Sequence, residues 1–207
     1  MGKDEIIKEI LDIEWPMFSG VNNAGGKASC QMDPETFKIM RISQYKTWSD
    51  ELLRTYLADL QEAQKSGRNL MTEKYARMME KTFPEEYAQI SHRLPPVDSD
   101  VRKKVDEIVK IHVDWKEEVD KKYPYLGDRS RPLRSSEDQL YSTPSLETYM
   151  RAELLNLSPK TINLYHAETM RRKEENRNEA LENLANQVQQ YGFADLEAAN
   201  KFFKENA

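Results

Sequence analysis

The sequence predicts an all-α protein, a single compact multi-helix domain of about seven to nine helices with two long irregular loops. Three observations predict it. Apolar residues recur by threes and fours, as in Val101, Val105, Ile108, Trp115 and Val119. Helix-start signals precede several such stripes, Asp33-Pro34, Ser49 and Ser158-Pro159 among them. Charged residues reach 32% against 38% hydrophobic, with a mean hydropathy of -0.85, so the apolar side chains must be gathered on stripes beneath a polar exterior. A chain of 207 residues is long enough to give them one core.

Lys3 to Trp15 places Ile6, Ile7, Ile10, Leu11 and Ile13 on one side of a helix that Pro16 should end. Glu14 falls in the same arc. Its carboxylate either faces the core with a cationic or donor partner, or a proton, or bends out of the last turn to water. Gly20 to Gln31, with Asn22, Asn23, Gly25 and Gly26, is the first irregular loop, rich in residues that tolerate positive φ. Asp33 and Pro34 then open a helix through Trp48, on which Phe37, Met40 and Trp48 form a stripe and Arg41 and Gln44 project within it. Ser49 caps a helix that stops at Gly67. From Thr72 to Phe83, Met71, Tyr75, Met78, Met79 and Phe83 share one face, opposite a solvated face of Glu73, Arg77 and Glu80.

Pro95 and Pro96 mark a possible subdomain boundary near 94–98. A helix from about Ser99 to Tyr123 follows, with His112 inside its apolar seam as a core residue or a functional one. The second irregular region holds Arg129, Arg131 and Arg134, suited either to bidentate contacts with phosphate or carboxylate or to pairing with an acidic surface. Thr143 or Ser145 begins a helix of Leu146, Tyr149, Met150, Leu154 and Leu157, with Glu153 as a second inward carboxylate. Ser158 and Pro159 open a long helix ending at Gly192, whose middle run RRKEENRNE should be solvated all round. A last short helix turns Leu196, Ala199 and Phe203 inward.

Several function classes are disfavoured by these features. The net charge of -5 and isoelectric point near 5.4 argue against nucleic-acid binding, which needs a basic face. No run approaches the roughly eighteen apolar residues of a membrane span, and the start lacks a signal-peptide core, so a cytoplasmic protein is expected. The lone Cys30 cannot close an internal disulfide. None of His92, His112 and His166 follows a carboxylate at three positions, so no metal site of the di-iron kind is expected, and no motif implies a cofactor. Serine catalysis lacks its G-x-S-x-G elbow. Cys30, just ahead of the helix at Pro34, is a nucleophile only where His112 or His166 reaches it.

The densest stretch is EWPMFSGVNNAGGKASCQMDPETFKIMRISQYKTW, Glu14 to Trp48. It holds the only cysteine, three of the seven glycines and two of the three tryptophans. With LMTEKYARMMEKT and LETYMRAELLNLSPKT, it resembles a bacterial family catalogued as domain of unknown function number four thousand one hundred and twenty-five. Ala152 stands where that family often has glycine. The resemblance implies a compact cytosolic protein whose relatives can be joined to a nucleotidyltransferase-like domain, and it supplies no activity.

Buried polar groups must be paired, so inward Glu14, Arg41, Gln44, His112 and Glu153 form either one internal network or a pocket completed by a guest. In the pocket reading, Glu14, Cys30, His112 and Glu153 are the catalytic candidates. Asn22, Asn23, Gln31, Arg41, Gln44, Arg129, Arg131 and Arg134 bind a small anionic or zwitterionic ligand. The rival reading is a non-catalytic helical adaptor for a partner protein or a second copy of the chain.

Overall fold

A computed structural model of the chain describes residues 1–22, 26–127, 131–138 and 143–206. Among these residues there are eleven α-helices and no strand: α1 (Lys3–Ser19), α2 (Pro34–Tyr45), α3 (Asp50–Lys65), α4 (Leu70–Thr82), α5 (Pro84–Ile90), α6 (Ser99–Lys122), α7 (Pro124–Gly127), α8 (Leu146–Leu154), α9 (Pro159–Glu174), α10 (Glu179–Gln190) and α11 (Leu196–Glu205). The count exceeds seven to nine because α5 and α7 are too short to show a period, and because the last long stripe is two helices.

The caps follow local chemistry. Asp33, Ser49, Ser145 and Ser158 each accept the backbone N–H three residues on, opening α2, α3, α8 and α9. α4 begins earlier than its apolar stripe implied, because Asn69 accepts from Met71 and Thr72. α1 runs through Pro16 to Ser19. The missing N–H costs one bond near the helix end, and continuing buries Met17 and Phe18. Glu14 is therefore held in regular helix and stays inside. The break between α9 and α10 comes from Asn176, the one described non-glycine residue with positive φ, at 54°. Arg177 N–H reaches back to the Arg172 carbonyl at 2.8 Å, closing the helix end as at Gly67 and Gly192.

The main core draws Ile6 and Ile10 of α1, Leu52 and Leu60 of α3, Ile108 of α6 and Ile162 of α9, all fully buried. It extends on both sides of Pro95-Pro96. A smaller cluster joins Val119 and Tyr123 at the end of α6 to Leu126, Val188, Leu196 and Ala199, with Phe203 packed against it. Two sequence expectations for the apolar stripes are corrected. Met40 and Phe83 lie exposed, since α2 turns Arg41, Ser43 and Tyr45 inward with Phe37 half-buried beside them, and Phe83 has passed the end of α4.

Candidate functional site

Five helices bring charged and phenolic groups to one buried place. Arg41 of α2 stands at its centre, donating from Nη1 to Glu153 at 2.7 Å and to Gln44 at 3.1 Å, with Nη2 3.2 Å from Glu14. Glu14 on α1 is fully buried and accepts the Tyr56 hydroxyl of α3 at 2.5 Å. Lys74 of α4, also buried, donates to Glu153 at 3.2 Å and to the Tyr149 hydroxyl at 2.7 Å. Glu14, Arg41, Glu153 and Lys74 thus form a chain of charges alternating in sign.

The electrostatics follow from burial against pairing. Burial pushes Glu14 above the ordinary carboxylate range, with Arg41 opposing it. Burial also works against ionised Glu153, but Arg41 and Lys74 together bring it down to about 2. Tyr45 and Tyr56 are driven well up by burial, so both stay neutral phenols. Glu14 Oε2 and the Tyr45 hydroxyl have no hydrogen-bond partner.

The edge of the cluster is where the two irregular regions arrive. Tyr149 is half-buried, and the Arg131 guanidinium lies 4.4 Å from its ring centre while Lys74 Nζ lies 4.0 Å from the same centre. Tyr75 is within electrostatic reach of Lys74, Arg131 and Cys30. Arg131 also donates to the Pro144 carbonyl.

The other expected site residues divide. Gln31 is buried as a strut of its loop, donating to the Phe18 and Val21 carbonyls and accepting from Ala28. Asn22 and Cys30 are exposed, Cys30 on a 3-10 turn over Ser29–Met32. Arg134 pairs with Glu117 at 2.9 Å on the surface. Asn23 and Arg129 lie outside the described residues. His112 is buried apart from Arg41, against Trp115, Tyr165 and Glu179, and burial lowers its proton affinity. His166 meets Glu107 instead.

His112 belongs to a second polar cluster, two of whose members, Arg172 and Glu179, the sequence places in a solvated run. Glu179, at the start of α10, accepts from Thr47 at 2.9 Å, from the Trp48 indole at 3.2 Å and from Tyr165 at 3.3 Å. Arg172 binds the Thr47 carbonyl and Glu182. The run RRKEENRNE is therefore not solvated all round: Arg172 continues the Ile162, Tyr165, Thr169 stripe of α9, a spacing that could have revealed it. Arg77 is likewise buried, donating to Asn156 and the Pro95 carbonyl at 2.7 Å each, and Lys74 sits three residues after Met71 and four before Met78 on the packed face.

Two surface hollows lie elsewhere. One of about 160 Å³ lies between Leu11, Trp15, Pro34 and Phe37, and one of about 270 Å³ between Arg54, Asp59 and Lys160. Among the described residues no group of three or more His, Cys, Asp or Glu could hold a metal, and no helix is long and apolar enough to cross a membrane. No curated protein and no solved structure matches the chain. The family described as "Protein of unknown function (DUF4125)" matches residues 4–201, nearly the whole length, and the chain belongs to that family.

Proposed function

We propose that the protein binds a small anionic or zwitterionic molecule at the edge of the Arg41 cluster, beside Tyr149. The observation that carries this reading is the convergence of Lys74 and Arg131 on one tyrosine ring, with Arg41 behind them, in a chain whose net charge is -5. Two cations against one half-buried ring form a local positive field that favours an anionic group. Glu153, kept ionised by its two cations, is suited to holding Lys74 in place and is a poor proton donor near neutral pH. Glu14 is fully buried, so binding is favoured over acid–base catalysis.

The test is a thermal-shift screen over sulfate, phosphate esters and amino acids, run on the wild type and Arg131→Ala. A ligand at about a hundred times its Kd adds roughly 2.7 kcal/mol of stability. The reading expects a stabilising compound whose effect shrinks in the variant. No stabilisation, or stabilisation indifferent to Arg131, overturns it. One observation favours the adaptor instead, the neutral pairing of the four cluster charges without a guest.

A further inference from the structure

Among the described residues, α5 is the only α-helix that buries none of its side chains. Phe83, Tyr87, Ile90 and Leu94 recur along it and the turn that follows at intervals of four, three and four, the spacing of a helix seam. Yet none of the four joins either apolar cluster. α5 packs on α4, Tyr87, Ile90 and Leu94 are half-buried, and Phe83 is 56% exposed. The arm is nonetheless tied at its base. Arg77, buried in α4, donates to the Pro95 carbonyl at 2.7 Å, just past the 3-10 turn over Ser91–Arg93.

The charges of the arm are divided by sign. Glu85 and Glu86 stand at its start and His92 and Arg93 at its end, all exposed, and none of the four enters an ion pair or a side-chain hydrogen bond. Glu80 and Lys81, at the end of α4, add no net charge. The helix dipole favours this order of signs but leaves the apolar stripe uncovered. We propose that the arm is a self-association surface, on which α5 of a second copy packs antiparallel and encloses the stripe, with the acidic end of each arm against the basic end of the other. The spacing suits that occupant, because four, three, four reads the same in both directions. A two-fold axis therefore sets Phe83 against Leu94 and Tyr87 against Ile90 of the second copy, and brings Glu85 and Glu86 beside its His92 and Arg93. A basic partner protein would suit the glutamates and be repelled by Arg93, whereas a second copy suits both ends at once. The face is small. A stable interface takes about 800 Å² from each partner, more than one short helix offers, so the pairing is weak.

This inference stands apart from the anion site, since no residue of the arm enters the Arg41 cluster. Sedimentation velocity of the intact chain at low salt tests it, over concentrations from about 10 µM to about 1 mM, the range that brackets so weak a dissociation constant. The dimer fraction should rise across that range and fall when salt is added. Phe83→Asp changes an exposed side chain, so it should leave the melting temperature near that of the wild type while raising the dissociation constant at least about tenfold. A charge exchange separates this face from any other. The Glu85→Lys/Glu86→Lys chain and the His92→Glu/Arg93→Glu chain should each stay monomeric alone, because like charges then meet at both ends. Mixed in equal amounts, they should pair again, because every contact across the two-fold is once more between opposite charges. A wild type that is monomeric throughout the range overturns the proposal and leaves the face to a different protein. A dimer that survives Phe83→Asp uses another surface and overturns it equally. Charge variants that dimerise alone, or fail to re-pair when mixed, overturn the antiparallel arrangement.

Discussion

Single residues in the Arg41 cluster carry unequal weight. Removing the guanidinium in Arg41→Ala leaves buried Glu14 without its cation and Glu153 with Lys74 alone, and a loss of about 3–5 kcal/mol is expected by urea unfolding. Glu14→Gln keeps the shape and the acceptor for Tyr56, and should cost about 1 kcal/mol or less. Glu153 makes the pH response specific. Its folded pKa is depressed, so its contribution is present above the unfolded value near 4.5 and is lost as pH falls toward about 2. The wild type should therefore lose stability across that acid window, and Glu153→Gln should lose distinctly less across it while starting lower. Equal acid slopes in the two proteins would contradict the pairing. The convergence of Glu14, Arg41, Gln44 and Glu153 was legible because each interrupts an apolar arc. Lys74 was passed over because a long amine on such a stripe reads as reaching out to water, and only the position of Glu153 on α8 turns it inward.

At the scale of elements, what could be read depended on how far local chemistry decides the outcome. Asp33, Ser49, Ser145 and Ser158 specify helix starts through their own side chains, so their positions were evident. Pro16 misled because the penalty it imposes is local, while the gain from burying Met17 and Phe18 is tertiary. Asn176 was missed because asparagine stops a helix only in the left-handed conformation, which the surrounding polar run does not announce. At that position Asn176→Gly should be tolerated, whereas Asn176→Ala, which lacks asparagine's tolerance for this conformation, should cost about 1 kcal/mol. Thermal unfolding of the two variants checks the order, and an alanine variant as stable as wild type would remove the strained stop from the account.

Across the whole molecule, the two apolar clusters divide the labour. The larger unites helices from α1 to α9, whereas the smaller holds α7, α10 and α11 to the end of α6. α10 meets α2 through polar contacts, Asn186 donating to the Ser43 carbonyl at 3.0 Å and Gln190 to the Ile39 carbonyl at 3.1 Å, besides the bonds to Glu179. Such contacts contribute little net stability each, so α10 and α11 should open before the main core. Native-state hydrogen exchange should show their amides released at lower free energy than those of α3 and α6, and Leu196→Ala should widen the gap. Trp48 sits at this seam, its indole bound to Glu179 and its ring 5.1 Å from that of Tyr165. Parting the seam would wet the indole and shift its emission to the red, so the protein's own fluorescence can time the opening of its carboxy-terminal helices without an added dye.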